Sequence, residues 1–424
     1  MNSDHFIQSL RELCSIESVA GIEVCEDAPY GKSSAEALDY VINLCRDFGF
    51  ETKICEHHRV GWAQIGEGDE IVGILTHLDV VPAGNGWDYP AYGLTEVGDR
   101  IYGRGVTDDK GPTMACIYAM KDLLDSRVPL GKRVRIIFGQ SEETGIWEDM
   151  EYYKVHEEIP VFGFTPDADF PAIYGEKRIL CLELSMPLEE SGLLSLRGGS
   201  AGNMVADSCA AVYCADGNEV TASADGKAAH ASTPEDGVNA ITLLMSKLEK
   251  ELPDSRFVKF YNRFIGDGIY GERMGCALED TQSGKLTLNA GVVSVQNGNI
   301  VLTLDIREPV TFADTAVLDP VCKAAGEYGM TVSVTENTAP VYMDKNGPVI
   351  SKLLEVYRSE TKDYSEPEVI GGGTYARAMD NIVAFGPMLP GRELTEHQKN
   401  EYILKEDLML LRKIYCSAIK ALAE

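Results

Sequence analysis

Short apolar runs alternate with amphipathic stretches through the first part of the chain. Apolar residues three or four positions apart, such as Phe6, Leu10 and Leu13, are typical of one face of a helix, whereas β-branched runs are typical of strands. The alternation of the two predicts an α/β sheet with many parallel strands. The predicted helices cover 4–17, 33–48 (with Ser33 or Ser34 as N-cap) and 111–126, and the predicted strands cover 51–55, 62–65, 71–77, 133–139 and 161–164.

The pattern changes after about Lys177, where alternating strands such as Ile179–Ser185 and Val301–Arg307 dominate. From Pro348 the earlier α/β pattern returns. This change predicts a discontinuous domain of residues 1–176 plus 346–424, interrupted by an inserted α+β domain at 177–345.

Polar side chains follow three of the apolar strands. His77 and Asp79 end the first of them, and alternate residues of a strand point to the same face. A carboxylate that steers a neutral imidazole suits a metal site, although a core histidine satisfied by its neighbour gives the same pattern. Glu142 and Asp167 follow the next two strands. Because ligands of open α/β sheets bind beyond the carboxyl ends of the strands, we expect one site at this edge.

The chain contains the ligands that two divalent ions require. Such ions take imidazole nitrogens and carboxylate oxygens, and a pair of them needs a bridging carboxylate. Each candidate also has a simpler explanation: a helix cap, a solvated loop pair, a turn or a surface histidine. The candidates are His77, Asp108 or Asp109, the Glu142–Glu143 pair, Asp167 and His397.

Charge and composition narrow the classes of partner. The net charge is −29, from 38 basic and 67 acidic residues, which disfavours nucleic acid and anionic membranes as partners. The chain lacks an apolar window long enough for a membrane span, and its N-terminus does not resemble a secretory signal. Eleven cysteines without a Cys-x-x-Cys pair indicate reduced thiols, so we expect a cytoplasmic protein.

Six segments in the same order resemble the M20 metallopeptidase family and, more narrowly, the PepV-like dipeptidases with their staphylococcal-type members. The resemblance implies a dinuclear-metallopeptidase catalytic domain with a mixed, mostly parallel sheet flanked by helices. It also implies that the inserted α+β domain is a lid. The six segments are Thr76–Pro82, Gly103–Pro112, Ser141–Gly145, Phe164–Pro171, Gly371–Arg377 and His397–Tyr402.

The resemblance also implies a ligand set for two divalent ions. His77 and Asp167 would hold one ion, Glu143 and His397 the other, and Asp108 would bridge them. Asp169 is a rival for Asp167. Asp79 would touch only His77, and the Asp108–Asp109 peptide would be cis. We expect zinc, with manganese or cobalt as alternatives.

The remaining implied roles concern the reaction itself. Glu142 would be the general base, and His230 would stabilise the oxyanion, unless His230 is only a turn residue. Asn203 and Arg307 would contact the substrate. The alternative for Asn203 is a turn, and for Arg307 an ion pair with Glu308 or another acid.

These roles imply metal-dependent hydrolysis of dipeptides or short peptides. The alternatives are an M20-type enzyme that deacylates N-acyl amino acids and a non-catalytic metal-binding protein. The expected partner is a small peptide substrate, with no nucleic acid and no membrane. A monomer is favoured over a homodimer, because the long inserted domain resembles the enlarged lid of the PepV-like monomers.

Overall fold

A computed structural model of the chain describes residues 3–313 and 315–424. Met1, Asn2 and Asp314 lie outside the described residues, so the expectation about a secretory signal falls partly outside them. The helices of the described residues are α1 (Ser3–Cys14), α2 (Lys32–Asp47), α3 (Lys110–Asp125), α4 (Glu148–His156), α5 (Ala240–Glu251), α6 (Arg256–Phe264), α7 (Thr315–Glu327), α8 (Pro348–Thr361) and α9 (Lys405–Ala423).

The strands are two to ten residues long. They are β1 (Glu51–Ile54), β2 (Gly61–Ile65), β3 (Ile71–His77), β4 (Thr95–Val97), β5 (Arg100–Tyr102), β6 (Arg133–Gly139), β7 (Phe162–Thr165), β8 (Ala168–Asp169), β9 (Ile173–Glu176), β10 (Arg178–Pro187), β11 (Leu193–Gly198), β12 (Ser208–Ala215), β13 (Asn218–Asp225), β14 (Glu279–Asp280), β15 (Gly284–Lys285), β16 (Thr287–Gln296), β17 (Asn299–Glu308), β18 (Thr331–Thr338), β19 (Val341–Tyr342), β20 (Glu368–Ile370), β21 (Ile382–Ala384), β22 (Pro387–Met388) and β23 (Tyr402–Leu404).

The described residues form two compact units. The first comprises the residues up to Tyr174 together with Met343–Glu368 and Thr374–Glu424, and the second comprises Gly175–Tyr342 and Val369–Gly373. The sequence assigns Val369–Gly373 to the catalytic domain, but these five residues cluster with the inserted unit.

The first unit is built on a mixed sheet in the order β1-β2-β6-β3-β7-β21-β9. β3 is parallel to both β6 and β7, and β7 is parallel to β21, whereas β1, β2 and β9 are antiparallel to their neighbours. All seven residues of β3 are buried, as expected for a strand covered on both faces. The predicted α/β class with a mixed sheet and helices is therefore confirmed, with three of the six pairings in this order parallel.

The helices agree with the apolar pattern, with one correction. Phe6, Leu10, Leu13 and Cys14 are all fully buried on one face of α1. The predicted serine N-cap of α2 is wrong, because the helix begins at Lys32 with Gly31 as its N-cap and includes both serines. Gly31 has φ of 115°, a conformation that glycine adopts without strain.

The second unit contains a seven-stranded antiparallel sheet in the order β13-β12-β11-β16-β17-β10-β18. Burial alternates along β10, where Leu180, Leu182, Leu184 and Met186 point inward. They share one apolar core with residues of α5, α6 and α7. The predicted α+β character of the insertion is confirmed.

Two further observations concern the whole described chain. Each of the eleven cysteines is free of a disulfide bond. Among the described residues we find no helix with the length and apolar character needed to span a membrane.

Candidate metal centre

The carboxyl edge of the first unit's sheet carries the predicted ligands. His77 is the last residue of β3 and pairs with Gly139, the last residue of β6. Glu142 and Glu143 lie in a single 3-10 turn that follows β6, and Asp167 follows β7. The parallel pairing of β3 with β6 and β7 thus brings three separate chain segments to one place, as the sequence predicts.

His77 presents one ring nitrogen to the protein and the other to a carboxylate cluster. Its Nδ1 lies 3.0 Å from the backbone carbonyl oxygen of Asp79 and 3.5 Å from the Asp79 carboxylate. Its Nε2 lies 2.9 Å from Asp108 Oδ1 and 3.7 Å from Asp167 Oδ2. Nε2 is fully buried and makes no hydrogen bond of acceptable geometry with the described residues. A buried imidazole nitrogen of this kind suits a metal ligand.

His397 makes the corresponding contacts on the other side of Asp108. Its Nε2 lies 2.9 Å from Asp108 Oδ2 and 3.1 Å from Glu143 Oε2. The two oxygens of Asp108 therefore face two different imidazoles. The side chain of His397 is 56% exposed, so His397 is a surface histidine, which is the simpler explanation given above. Its Nε2 nevertheless points into the cluster.

Asp108 is joined to Asp109 by a cis peptide, as the resemblance implies. Asp109 is the residue before α3, but its carboxylate makes no capping hydrogen bond to that helix's backbone. Instead, Asp109 Oδ2 accepts hydrogen bonds from the His77 backbone N–H (3.2 Å) and from Thr113 Oγ1 (3.1 Å). Asp109 thus connects the end of β3 to the start of α3.

The cluster holds more carboxyl groups than bases. Burial and repulsion by Asp108 raise the pKa of Glu143 to about 7 and that of Asp167 to about 6. Burial and repulsion by Asp167 raise the pKa of Glu142 well above its usual range. Burial is the largest cause of each shift, and the negative charge of the neighbouring carboxylates adds to it.

The same carboxylates raise the pKa values of the two imidazoles. The carboxylates of Asp108 and Glu143 raise the pKa of His397 to about 11. Burial acts to lower the pKa of His77, but Asp108, Asp167 and Asp79 raise it well above its usual value. Burial acts to raise the pKa of Asp108, and the two imidazoles lower it. Divalent cations would neutralise the surplus carboxylates, so the donor set fits a pair of such ions.

The geometry separates into two groups of possible ligands. One ligand atom from each of His77, Glu142 and Asp167 lies within 4.8 Å of the others, and the same holds for His77, Asp108 and Glu143. Asp169 joins neither group in the part of the chain that the structure describes. Asp167 Oδ2 lies 3.7 Å from His77 Nε2, so the structure favours Asp167 over Asp169 at the cluster.

The contacts of Asp79 correct one expectation. Its carboxylate does not touch only His77, because Oδ1 accepts a hydrogen bond from the Glu142 N–H (3.2 Å) and Oδ2 from the Glu143 N–H (3.0 Å). The closest contact with His77 is made by its backbone oxygen. Asp79 therefore fixes the two glutamates as well as the imidazole.

A second buried acid supports the same turn, and sequence reasoning missed it. Asp149 Oδ2 accepts hydrogen bonds from the backbone N–H of Gln140 (2.6 Å) and of Ser141 (3.0 Å), and from the hydroxyl of Tyr375 (2.6 Å). A Cβ on Gly139 would lie 2.3 Å from that hydroxyl, so only glycine fits there. Tyr375 lies in a segment that carries the resemblance, but no local pattern marks Asp149.

The other three predicted site residues belong to the second unit. His230 Nδ1 lies 2.7 Å from Ser232 Oγ and accepts a hydrogen bond from the Ser232 N–H (3.2 Å). The backbone oxygen of Asn203 accepts a hydrogen bond from Ala231. The Arg307 guanidinium pairs with Asp305 through Nε (2.6 Å) and Nη2 (2.8 Å), and donates from Nη1 to Gly371 O (2.8 Å). The ion pair that the sequence leaves open for Arg307 thus exists, with Asp305 rather than Glu308.

With this geometry in hand, comparison with known proteins decides the family. The profile of peptidase family M20/M25/M40 matches residues 73–421. A Staphylococcus aureus (strain MW2) protein, provisionally named a dipeptidase, is 36% identical over 457 residues, covering 99% of this chain and 97% of that protein. The chain belongs to peptidase family M20. The resemblance found in the sequence is confirmed, and the protein is a peptidase of this metal-dependent family.

Solved structures agree on the fold. Human carnosine dipeptidase 1 is 16% identical, with a TM-score of 0.66, and the match covers 99% of this chain and 96% of that one. A Bacillus subtilis protein described as a dinuclear metal binding peptidase from the M20 family is 12% identical, with a TM-score of 0.57 and coverage of 99% and 98%. At these identities the likeness supports the M20 fold alone.

Proposed function

We propose that this M20 peptidase hydrolyses dipeptides or short peptides with two divalent ions bound at the cluster. His77 and Asp167 would hold one ion, Glu143 and His397 the other, and Asp108 would bridge them. The observation that carries the proposal is the position of Asp108, whose two oxygens each lie 2.9 Å from a different imidazole. The names of the similar staphylococcal and human proteins support the dipeptide substrate.

The metal ions are expected to be zinc, with manganese or cobalt as alternatives, because imidazole and carboxylate ligands suit all three. When bound, such ions lower the pKa of a water molecule and polarise a carbonyl group. The remaining work falls to side chains of the chain itself.

Glu142 is proposed as the general base. Its backbone N–H is fixed by Asp79, and burial and the neighbouring Asp167 raise its pKa above the usual range of a glutamate, which is the direction that suits a proton acceptor. Glu142 would accept a proton from water as the water oxygen attacks the carbonyl carbon. It would then pass that proton to the amine nitrogen as the C–N bond breaks.

His230, Asn203 and Arg307 are proposed to act on the substrate. Because His230 Nδ1 accepts the Ser232 N–H, a neutral ring carries its proton on Nε2, which suits donation to an oxyanion. Arg307 uses three of its five N–H donors in the printed contacts with Asp305 and Gly371, and the other two suit a substrate carboxylate. Asn203 would contact the substrate through its side-chain amide.

The test is release of free amine by the metal-loaded protein from two matched panels. One panel contains dipeptides, and the other contains the corresponding N-acetyl amino acids. We expect turnover of the dipeptides and at most slow release from the acetylated compounds. Preferred cleavage of the acetylated compounds would support the deacylase alternative, and no turnover in either panel despite bound metal would support a non-catalytic protein.

Two further properties stay proposals. The monomeric state follows from the length of the inserted unit, and light scattering of the purified protein tests it. The cytoplasmic location follows from the sequence composition, and fractionation of the source cells tests it.

A further inference from the structure

Glu401 is a fully buried carboxylate that the proposed reaction does not use. It lies four residues after His397. Its Oε1 accepts hydrogen bonds from the backbone N–H of Thr107 (2.9 Å) and of Asp108 (3.4 Å). Its Oε2 accepts from the Gly105 N–H (3.2 Å) and from Arg104 Nη1 (2.7 Å). One carboxylate therefore collects four donors from the segment that ends in Asp108.

The backbone around Glu401 strengthens the same connection. The carbonyl oxygen of Glu401 accepts the Gly103 N–H (3.0 Å), and that of Tyr402 accepts Thr107 Oγ1 (3.1 Å). Strand β23, which follows Glu401, is antiparallel to β5, which precedes Gly103. The residues that follow His397 are thus hydrogen-bonded to the residues that precede Asp108.

A third segment is tied to the same point. Asn400 donates from Nδ2 to Asp88 Oδ2 (2.8 Å), and its Oδ1 accepts the Asp88 N–H (2.8 Å). The Arg104 guanidinium, which is 2% exposed, lies 5.2 Å from the centre of the Trp87 ring. Trp87 and Asp88 belong to the loop that follows His77 and Asp79. Glu401, together with Asn400 and Tyr402, therefore connects three segments. One follows His77, one carries Asp108 and one carries His397.

We propose that Glu401 is a positioning residue for the two-metal site, which sets the spacing between Asp108 and His397. The inference rests on the proposed function, because it presumes the two ions. Ligands must hold their positions to within about 0.5 Å for productive geometry. Since Glu401 binds the backbone of Asp108 and follows His397, its loss should weaken the ion held by Glu143 and His397 more than the ion held by His77 and Asp167.

The test is titration of the chelator-treated protein with Co²⁺, followed by calorimetry and by visible absorption of the bound ion. In Glu401→Gln the amide NH₂ would face N–H donors in place of one carboxylate oxygen. We expect one of the two Co²⁺ affinities, that of the ion assigned to Glu143 and His397, to fall about 10- to 100-fold, the range found when partners behind metal ligands are removed. The affinity of the other ion should change much less.

Glu157→Gln is the matched control. Glu157 is also a poorly exposed carboxylate, and it accepts hydrogen bonds from Lys53, Cys55 and Trp62. Its substitution should leave both Co²⁺ affinities unchanged. Equal losses at both sites in Glu401→Gln, or affinities equal to those of the unaltered chain, would overturn the proposal.

A double variant covers the case in which Glu401→Gln unfolds. Arg104→Met with Glu401→Gln removes both members of the buried pair, an exchange that often restores stability. We expect recovery of the thermal midpoint without recovery of the second Co²⁺ affinity. Recovery of both would assign Glu401 a structural role only. If the unaltered chain binds no pair of Co²⁺ ions, the proposed function fails instead, so the two failures are distinguishable.

Discussion

Two buried groups of charges in this chain differ in how they are balanced. In the second unit, Arg307 and Asp305 form a pair with side chains 6% and 1% exposed, and two hydrogen bonds join one cation to one anion. In the first unit, four carboxyl groups share a cluster with two imidazoles. There, burial and like charge raise the pKa of Glu142, Glu143 and Asp167.

This difference separates a balanced ion pair from a cation site. A buried pair whose charges cancel needs no added cation, whereas surplus carboxylates are costly unless a cation joins them. In the sequence, both the Arg307–Asp305 pair and the carboxylate cluster consist of charged residues on or just after strands. Only their partners in the folded chain distinguish them.

The largest expected effect comes from breaking the cluster at its centre. Asp108→Asn removes one of the two oxygens that face the imidazoles, so we expect loss of the bound ion pair and of turnover to background. Metal content after dialysis, measured beside dipeptide hydrolysis, checks this. Asp169→Asn is the control and should keep both ions. Retention of both ions by Asp108→Asn would contradict the assignment.

The next effect separates the general base from the ligands. Glu142→Gln should keep two ions but lose about 10²- to 10⁴-fold in turnover, the usual contribution of a positioned acid or base. Glu143→Gln should lose turnover and weaken one ion as well. Near-normal turnover in Glu142→Gln, measured at saturating dipeptide, would remove Glu142 from the mechanism.

The balanced pair gives the opposite kind of result. Asp305→Asn leaves Arg307 buried without its anion, so we expect a loss of about 3–5 kcal/mol in the free energy of unfolding. Urea denaturation measures the change. Because this pair is balanced without metal, the loss should be the same with and without added ions. A loss that disappears when metal is added would show that the pair is coupled to the cluster.

The pH dependence of metal binding sharpens the comparison further. In the metal-free protein the carboxylates of Asp108 and Glu143 raise the pKa of His397 to about 11, so this ring is protonated at pH 7. The pKa of His77 is raised as well, by Asp108, Asp167 and Asp79. A metal ligand must be a neutral imidazole, so binding at pH 7 should release protons. Metal affinity should therefore increase with pH, by about tenfold per unit for each proton released.

Calorimetry in two buffers with different heats of ionisation measures this release. Metal binding without proton release at pH 7 would contradict the charge state assigned to His397. The raised pKa of His397 also predicts how the free energy of unfolding of the metal-free protein depends on pH. Since the folded-state pKa of His397 lies above its unfolded value of about 6.5, its contribution is complete below pH 6.5 and is lost as the pH rises towards 11.

The smallest effect concerns the support beneath Glu142. Tyr375→Phe removes the hydroxyl that donates to Asp149, which should lower the free energy of unfolding by about 1–3 kcal/mol and reduce turnover modestly. Tyr415→Phe is the control, because this buried hydroxyl has no hydrogen-bond partner among the described residues. Equal stability changes in both variants would contradict the supporting role of Tyr375.

The sequence predicts the parts of this structure that depend on local pattern. The strand Arg133–Gly139 has the predicted bounds, and the acids that follow the parallel strands meet at one edge because strand direction and register require it. The choice of Asp108 over Asp109 came from the resemblance to a known family. The residues alone leave both open.

What the sequence does not predict depends on contacts between distant segments. Asp149 supports the Glu142 turn and is held by Tyr375, which is 226 positions away, and Glu401 binds Arg104 across 297 positions. The residues around Asp149 do not distinguish it from a solvated carboxylate, and Glu401 lies in a segment that carries the resemblance without any pattern that indicates its buried contacts. The position of Arg307 shows the same limit, because its partner Asp305 lies on its own strand and was not singled out.

The central claim is that Asp108 lies between two divalent ions. Anomalous X-ray diffraction from crystals of the zinc-loaded protein, recorded at the zinc edge, tests it most directly. We predict two peaks about 3.5–4 Å apart. One should lie beside His77 and Asp167 and the other beside Glu143 and His397, each in contact with one oxygen of Asp108. A single peak, or an ion held by Asp169 without Asp108, would contradict the account.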